Sequence, residues 1–443
     1  MRWLRERRVA LAALSLFVLL AGDAVRYTLS WWGWGAVVVA LLACWVVVAV
    51  RHRVDLRTVP SGVVLFLAIC VASFAWSQYP SASALGIPAT VATVFAAVVM
   101  AKTITFEQFV RALGVALRWI LGLSLLFELF VALIIRGPLL PLWVSYDEPI
   151  PNAYYWSQGH LFTGERIQGI VGNANLLGVV ALMGMMVFAV QAVDHTVTAA
   201  AGWGWFAAAT VSFTLARSAT MVVALAVVLF ALAVILIARR VSSRVRREVY
   251  AAAFVIGSTL VALFWTFRGQ ALGLLERSDD LTGRLDIWDS VWQLASERPI
   301  LGWGWVSYWA PWVEPFDDLV VIDGVTYLQA HNAFIDVWLQ LGLVGLGAFV
   351  ALIVVTSLRC VAWSIDRPLG DAPNSAAART LPTLLMVMLL VQSLAESRIL
   401  VEAGLLLLIY FSTASKSRNQ PPPFTASIPL TPRRSRRASP DNR

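Results

Sequence analysis

Apolar runs long enough to cross a lipid bilayer recur along almost the whole of this chain. A bilayer core of about 30 Å needs roughly 20 apolar residues for each helical crossing. Of the 443 residues, 59% are apolar and 14% are charged, whereas soluble proteins average about a quarter charged residues. A water-soluble enzyme is therefore excluded, and the sequence predicts an all-α polytopic membrane protein.

The apolar runs predict about twelve transmembrane helices. They lie at residues 9–25, 31–50, 61–76, 87–101, 111–135, 171–193, 199–215, 218–238, 249–267, 333–357, 381–395 and 399–414. The stretch 199–238 contains one charge, Arg217, and would be about 60 Å long as a single helix. Because that is twice the thickness of a bilayer core, the chain must form a hairpin with its turn near Arg217. Residues 396–398 interrupt the last apolar stretch in the same way.

The basic residues set the orientation of these spans. Most of the 34 Lys and Arg residues lie in segments that face the cytoplasm if both termini are cytoplasmic, which agrees with the positive-inside rule. The net charge of +8 does not indicate nucleic-acid binding, because the basic residues form short clusters between apolar runs. Residues 1–415 are predicted to form one transmembrane domain, and 416–443 a disordered basic cytoplasmic tail.

Two external segments are long enough to carry a site, 136–170 and the larger 268–330 between spans 9 and 10. In the larger one, Leu285, Trp288, Trp292 and Ala295 recur at intervals of three and four. This spacing predicts an amphipathic helix that lies on the membrane surface with its tryptophan side down. Pro299 is expected to end it.

The tryptophans that follow this helix have two interpretations. Trp303, Trp305, Trp309 and Trp312 are predicted to anchor the segment at the membrane interface, where tryptophan is enriched. Stacking on sugar rings is the alternative.

A polar stripe opens the tenth predicted span. Asn332, Asp336 and Gln340 are spaced by four residues and therefore share one helix face. Polar side chains in a span face the protein interior or a wet cavity, so the stripe either bonds neighbouring helices or lines a site. His331 precedes it and adds a group that exchanges a proton near neutral pH.

Two arginines and two asparagines are further candidates. Arg217 and Arg284 fall on the predicted outer side, where a pair of guanidinium groups would suit a diphosphate at headgroup depth. Each alone is also explained as a residue that snorkels to the interface. Asn173 and Asn175 would bind sugar hydroxyls or phosphate, or else cap the sixth span.

Motifs for other chemistries are absent from the sequence. It contains neither a phosphate-binding P-loop nor a dinucleotide glycine fingerprint, and no Cys/His zinc pattern. The first external loop has Asp23 alone and not an Asp-x-Asp pair. We therefore expect no cofactor and no metal site.

The motif around His331 resembles that of a known family. His331-Asn332, nine residues, then Gly342-Leu-Val-Gly345 resembles the signature of the bacterial O-antigen ligase and polymerase superfamily. Three further stretches resemble landmarks of that family in the expected order, at 172–175, 216–218 and 283–304. Together they cover roughly residues 169–345.

The resemblance implies a metal-independent glycosyltransferase of GT-C-like architecture at the outer face of the bacterial cytoplasmic membrane. The donor would be a glycan on polyprenyl diphosphate. The acceptor would be a glycolipid, lipid A-core, in a ligase, and another lipid-linked glycan in a polymerase. By this resemblance Arg217 and Arg284 would hold the diphosphate, His331 would serve the acceptor hydroxyl, and Asn175 and Asn332 would supply supporting contacts.

Two other functions remain open from the sequence. A transporter or flippase for a polyprenyl-linked or anionic substrate would use the same arginines, and would depend on acids within spans such as Glu128, Asp336 or Glu402. A non-catalytic assembly partner would tolerate replacement of His331.

Overall fold

A computed structural model describes residues 2–146, 149–266, 279–322, 324–365 and 377–418. Within these residues the fold is that of a helical membrane protein, with one short antiparallel pair of strands, Val321–Ile322 (β1) and Val325–Thr326 (β2). The helices in chain order are Arg2–Leu20 (α1), Gly22–Arg51 (α2), Ser61–Ala72 (α3), Pro80–Thr103 (α4), Phe106–Phe130 (α5), Ala174–Val193 (α6), Ala199–Ala216 (α7), Ala219–Arg240 (α8), Ser243–Thr266 (α9), Asp279–Glu297 (α10), Ala333–Ile365 (α11), Leu381–Ser393 (α12) and Glu402–Arg418 (α13).

Six of the described helices are long and apolar enough to cross a membrane: α2, α4, α5 with the turn that follows it, α6, α8 and α11. Apolar side chains cover the outside of α2, where Val39 is 65% and Val50 71% exposed, as expected of a helix that faces lipid. Each of the twelve predicted spans overlaps a described helix. The number of crossings, the GT-C-like arrangement and the external position of the large loop stay predictions.

The chain turns at Arg217 between α7 and α8. Arg217 has the left-handed φ of 47°, and the Ser218 hydroxyl accepts a hydrogen bond from the backbone of Met221 and so caps α8. The turn lies at the predicted residue, but the two helices do not pair as the hairpin implied. Helix α7 packs along α6, whereas α8 packs against α12.

The segment after α10 is packed and has its own core. The rings of Trp309 and Phe316 stack there with centroids 5.1 Å apart, and Tyr79 from the start of α4 packs against them. This second core lies over the ends of α4 and α11, apart from the main core of the helix bundle.

Packing explains why two of the predicted interface anchors are wrong. Trp305 and Trp309 are fully buried, and their indole N–H groups donate to the Thr90 hydroxyl and to Asp336 respectively. A buried indole needs such a partner. Trp312 is 68% exposed, as an anchor would be.

Helix α10 forms where predicted and ends before Pro299, but the face that it buries is rotated from the predicted one, with Ala295 common to both. Leu285 and Trp292 are 54% and 56% exposed, whereas Ile287, Val291 and Ala295 are almost completely buried. The three buried residues are spaced by four, and this face packs against α11. Protein contact, not lipid, therefore determines how the helix is rotated.

The first of the two segments predicted to be external, 136–170, is held by an acid of α5. Glu128 is fully buried. It accepts hydrogen bonds from the backbone N–H groups of Gln168 and Gly169 at 3.0 and 2.7 Å, and from the Ser157 hydroxyl at 2.8 Å. Its carboxylate thus joins the middle of the segment, at Ser157, to its end before α6.

Two predicted features extend beyond the described residues. Helix α13 continues to Arg418, past the predicted start of the tail at 416. Residues 419–443 of that tail and residues 267–278 of the large external loop lie outside the described residues.

Candidate functional site

His331 lies immediately before α11, at the predicted external end of the bundle. Its backbone has a left-handed φ of 49°, its side chain is 16% exposed, and its ring contacts that of Tyr327 edge-on at 5.6 Å. The histidine is therefore partly shielded but still open to a ligand.

Glu396, in the connection after α12, contacts three of the candidate residues. Its Oε2 lies 3.1 Å from Nδ1 of His331 and accepts a hydrogen bond from the amide of Gln329 at 3.0 Å. Its Oε1 receives Nη2 of Arg284 at 3.4 Å and the amide of Asn175 at 3.5 Å. Four segments distant in sequence thus meet at one buried carboxylate, and we call these five residues the Glu396 cluster.

The charges around Glu396 keep it ionised. Burial alone would raise the pKa of this carboxyl. The charge and hydrogen-bonding capacity of His331, together with the charges of Arg284 and Arg398, outweigh burial and lower the pKa to about 2. Glu396 is therefore a fixed negative charge at any pH at which the protein works.

Asn175 connects the Glu396 cluster to Arg217. Its side-chain oxygen accepts hydrogen bonds from the Ser218 hydroxyl at 2.9 Å and from Nη2 of Arg166 at 2.7 Å. Arg217 adjoins Ser218, is exposed, and donates to the carbonyl of Gly164. Arg217 thus lies beside the cluster, next to the residue whose hydroxyl bonds to Asn175.

Two of the asparagines cap helices. Asn173 accepts hydrogen bonds from the backbone N–H groups of Asn175 and Leu176, so it is the cap of α6. Asn332 accepts from the two backbone N–H groups that begin α11, and its amide donates to the carbonyl of Leu394 at 3.5 Å. Both ends of the Asn332 side chain are used within the protein.

The remaining members of the polar stripe hold the segment that leads to His331. Asp336 accepts hydrogen bonds from the indole of Trp309 at 3.0 Å, from the Gln340 amide at 2.7 Å and from the backbone of Ala330 at 3.3 Å. The oxygen of Gln340 accepts from the backbone of Val306 at 2.8 Å. Because Ala330 precedes His331, Asp336 fixes the backbone on which the histidine is carried.

Two glycines bring the segment after α10 against α11. Gly342 has a φ of 65°, and a Cβ there would lie 2.1 Å from the carbonyl oxygen of Ile300. A Cβ on Gly302 would lie 2.5 Å from the backbone nitrogen of Gly342. This close approach lets the backbone N–H of Trp303 donate to the carbonyl of Leu339.

Sequence reasoning missed three residues of this site. The sequence showed Glu396 as part of the charged interruption between the last two predicted spans, and Arg166 as one residue of the segment 136–170. No pattern marked either residue as part of a site. Gln329 carried no signal. Arg284 directly precedes Leu285, the first residue of the predicted amphipathic pattern, but the helix begins at Asp279, so Arg284 lies in its second turn.

The described residues contain no group of three or more His, Cys, Asp or Glu side chains placed to hold a metal ion.

In the comparisons with known proteins, residues 204–350 match the family described as O-antigen ligase. No curated protein matches the chain. The family match covers Arg217, Arg284, His331 and Gly342, and it confirms the resemblance to the O-antigen ligase and polymerase superfamily.

Proposed function

We propose that this protein transfers a glycan from a polyprenyl diphosphate carrier to an acceptor hydroxyl at the outer face of the cytoplasmic membrane. The observation that carries the proposal is the Glu396 cluster, in which His331, Arg284 and Asn175 meet at one carboxylate. The family match supports a membrane glycosyltransferase of this broad class.

His331 acts on the acceptor in this proposal. Nδ1 lies 3.1 Å from the Glu396 carboxylate without hydrogen-bonding geometry, and the nearby negative charge favours the tautomer with the proton on Nδ1, which leaves Nε2 as the base. As the acceptor oxygen bonds to the anomeric carbon, Nε2 takes the hydroxyl proton. The bond from that carbon to the phosphate oxygen breaks, and polyprenyl diphosphate leaves with the electron pair. Glu396 stabilises the positive charge that forms on the ring.

Arginines stabilise the departing diphosphate. Arg284 contacts Glu396 through Nη2 at 3.4 Å, longer than a close bidentate pair, so this guanidinium can turn towards a phosphate. Arg217 and Arg166 lie on the Asn175 side of the cluster. Fixed positive charges in a site of low dielectric stabilise developing charge without reorganisation, and the reaction we propose requires neither a nucleotide nor a metal.

The contacts of the span acids do not favour the transporter alternative. Glu128 accepts three hydrogen bonds from the external segment, and Asp336 accepts three from groups around His331. Glu402 pairs with Arg26. These contacts are those of carboxylates that hold loops and helices in place.

The test uses purified protein with a polyprenyl diphosphate-linked glycan and an envelope acceptor, without metal or nucleotide. We expect wild type to release polyprenyl diphosphate and His331→Ala to release about 10²- to 10⁴-fold less per unit time. His160→Ala is the matched control, because His160 also pairs with a glutamate, Glu165 at 2.8 Å, but lies outside the Glu396 cluster.

The products separate the remaining possibilities. Longer lipid-linked glycan identifies a polymerase, and a new glycan–acceptor conjugate identifies a ligase. Unchanged release by His331→Ala contradicts the proposed role of His331. A wild-type protein that binds the donor without releasing polyprenyl diphosphate contradicts the transfer reaction itself.

A further inference from the structure

A cavity of about 380 Å³ lies at the end of the bundle opposite the Glu396 cluster, and it is lined by Arg8, His52, Arg53, Asp55, Lys102 and Thr103. The length of helix α4 gives the distance between the cavity and the end of the bundle that carries the Glu396 cluster. At its start the Tyr79 hydroxyl donates to the carbonyl of Gly304, whereas its last residues line the cavity, about 36 Å away at 1.5 Å per residue. The cavity is therefore on the face predicted to be cytoplasmic.

Positive charge is in excess among the described residues that line the cavity. Arg8, Arg53 and Lys102 face a single acid, Asp55. The Asp55 carboxylate already accepts a hydrogen bond from the backbone of Arg57 and caps the turn that follows. The wall thus has cations whose charge is not neutralised within the cavity.

Arg8 has unused hydrogen-bonding capacity. Its Nη1 donates to the carbonyl of Thr103, which fixes the guanidinium at the cavity wall. Its Nε is buried and has no hydrogen-bond partner among the described residues. A buried donor without a partner is costly, and an anion in the cavity would satisfy it.

The only two lysines of the chain, Lys102 and Lys416, bond to adjacent residues beside this cavity, and Lys102 is the one that lines it. Lys102 donates to the hydroxyl of Thr58, and Lys416 donates to the carbonyl of Val59 at 3.2 Å. The positive-inside rule places basic residues on this face, but it does not require two like charges to converge from different helices on adjacent residues.

We propose that this cavity binds an anionic phosphate group, either the headgroup of an acidic phospholipid or free phosphate. Guanidinium and ammonium donors are the groups that recognise phosphate in proteins. Basic pockets between helices on the cytoplasmic side are suited to anionic headgroups. This inference is independent of the glycan transfer proposed above.

The test compares binding of phosphatidylglycerol, phosphatidylcholine and sodium phosphate to the purified full-length protein. Native mass spectrometry counts the retained lipids, and the change in Tm reports phosphate. The test variant is Lys102→Gln/Lys416→Gln. Arg244→Gln/Arg247→Gln is the matched control, because it removes two charges from exposed residues of α9 on the same predicted face.

We expect wild type and the control to retain phosphatidylglycerol over phosphatidylcholine, and the lysine variant to bind it about tenfold or more weakly. Preference for phosphatidylglycerol with no response to phosphate identifies a lipid headgroup. A rise in Tm with phosphate that the lysine variant lacks identifies free phosphate. Equal binding by the lysine variant and wild type, or equal losses in both variants, overturns the proposal. If the lysine variant does not fold, Arg53→Gln replaces it, because Arg53 is an exposed residue of the cavity wall. Weaker binding of phosphatidylglycerol or phosphate by Arg53→Gln supports the proposal, and binding equal to that of wild type overturns it.

Discussion

Two buried groups of charges lie side by side at the predicted external end of the protein, and they differ in balance. In the first, the Glu396 cluster, one carboxylate faces His331 and Arg284 and is also under the charge of Arg398. In the second, which we call the Arg26 cluster, Arg26 and Arg398 face Asp23 and Glu402.

The Arg26 cluster is neutral and complete. Arg26 is 5% exposed. It pairs with Asp23 on its own helix and with Glu402 at the start of α13, while Arg398 lies 3.8 and 3.6 Å from the same two acids. Every charge has a partner of opposite sign, so the cluster joins α2 to the connection before α13 and needs no ligand.

The Glu396 cluster has a single carboxylate, one fixed cation, Arg284, and His331, which becomes positive when it takes a proton. Protonation of His331 would leave a buried surplus of positive charge, which is unfavourable unless an anion binds. The difference between the two clusters therefore separates charges that hold the fold from charges available to a substrate. The connection 394–402 supplies acids to both, which explains how they lie so close together.

The largest effect that we expect is the loss of glycan transfer in Glu396→Gln. It tests whether the Glu396 cluster, unlike the Arg26 cluster, serves the reaction. The amide keeps the shape of the side chain but removes the charge that orients His331 and stabilises its protonated ring. We expect a rate about 10²- to 10⁴-fold below wild type, measured as release of polyprenyl diphosphate, while the protein stays folded. A rate near that of wild type would show that Glu396 only joins helices, as the Arg26 cluster does.

The second effect is a loss of stability in Arg26→Met. Methionine fills similar space, but Asp23 and Glu402 are left with Arg398 alone, and breaking a buried ion pair costs about 3–5 kcal/mol. Thermal unfolding in detergent measures this cost. Below the reduced Tm, we expect the folded variant to transfer glycan at the wild-type rate. Lost transfer without lost stability would reverse the assignment of the two clusters.

The smallest effect is on the pH dependence of stability. The pKa of Glu396 is lowered from the ordinary 4.5 to about 2, so its stabilising contribution is complete above about pH 4.5 and is lost as the pH falls towards 2. The difference in Tm between wild type and Glu396→Gln should shrink below pH 4.5. Shrinkage that begins above pH 6 would show that the neighbouring cations do not hold the carboxylate ionised.

The sequence predicts those parts of the site that a local pattern encodes. The helical nature of the protein, the turn at Arg217 and the position of His331 before a membrane helix all follow from spacing within a single segment. Glu396 could not be predicted in this way, because its partners lie on segments far apart in sequence. The packing of α12 against α8 and α11 brings the connection that carries Glu396 next to those partners.

The face of α10 that is buried could not be predicted from the sequence for a related reason. An amphipathic pattern shows that a helix has an apolar face, but Leu285 and Trp292 are as apolar as Ile287 and Val291. Which of the two sets is buried depends on the neighbouring surface of α11, where Trp338 and Leu339 pack in the same core as Ile287 and Val291. Periodicity alone does not contain that information.

The break at Gly342 also determines how much of α11 must match the thickness of the bilayer. The left-handed residue divides the helix, and the part after it, Leu343 to Ile365, has roughly 23 residues and a length of about 34 Å. That length already spans a hydrocarbon layer of about 30 Å. The first part of α11, with Asp336 and Gln340, can therefore remain at the level of the headgroups, where its polar side chains avoid the cost of burial in lipid.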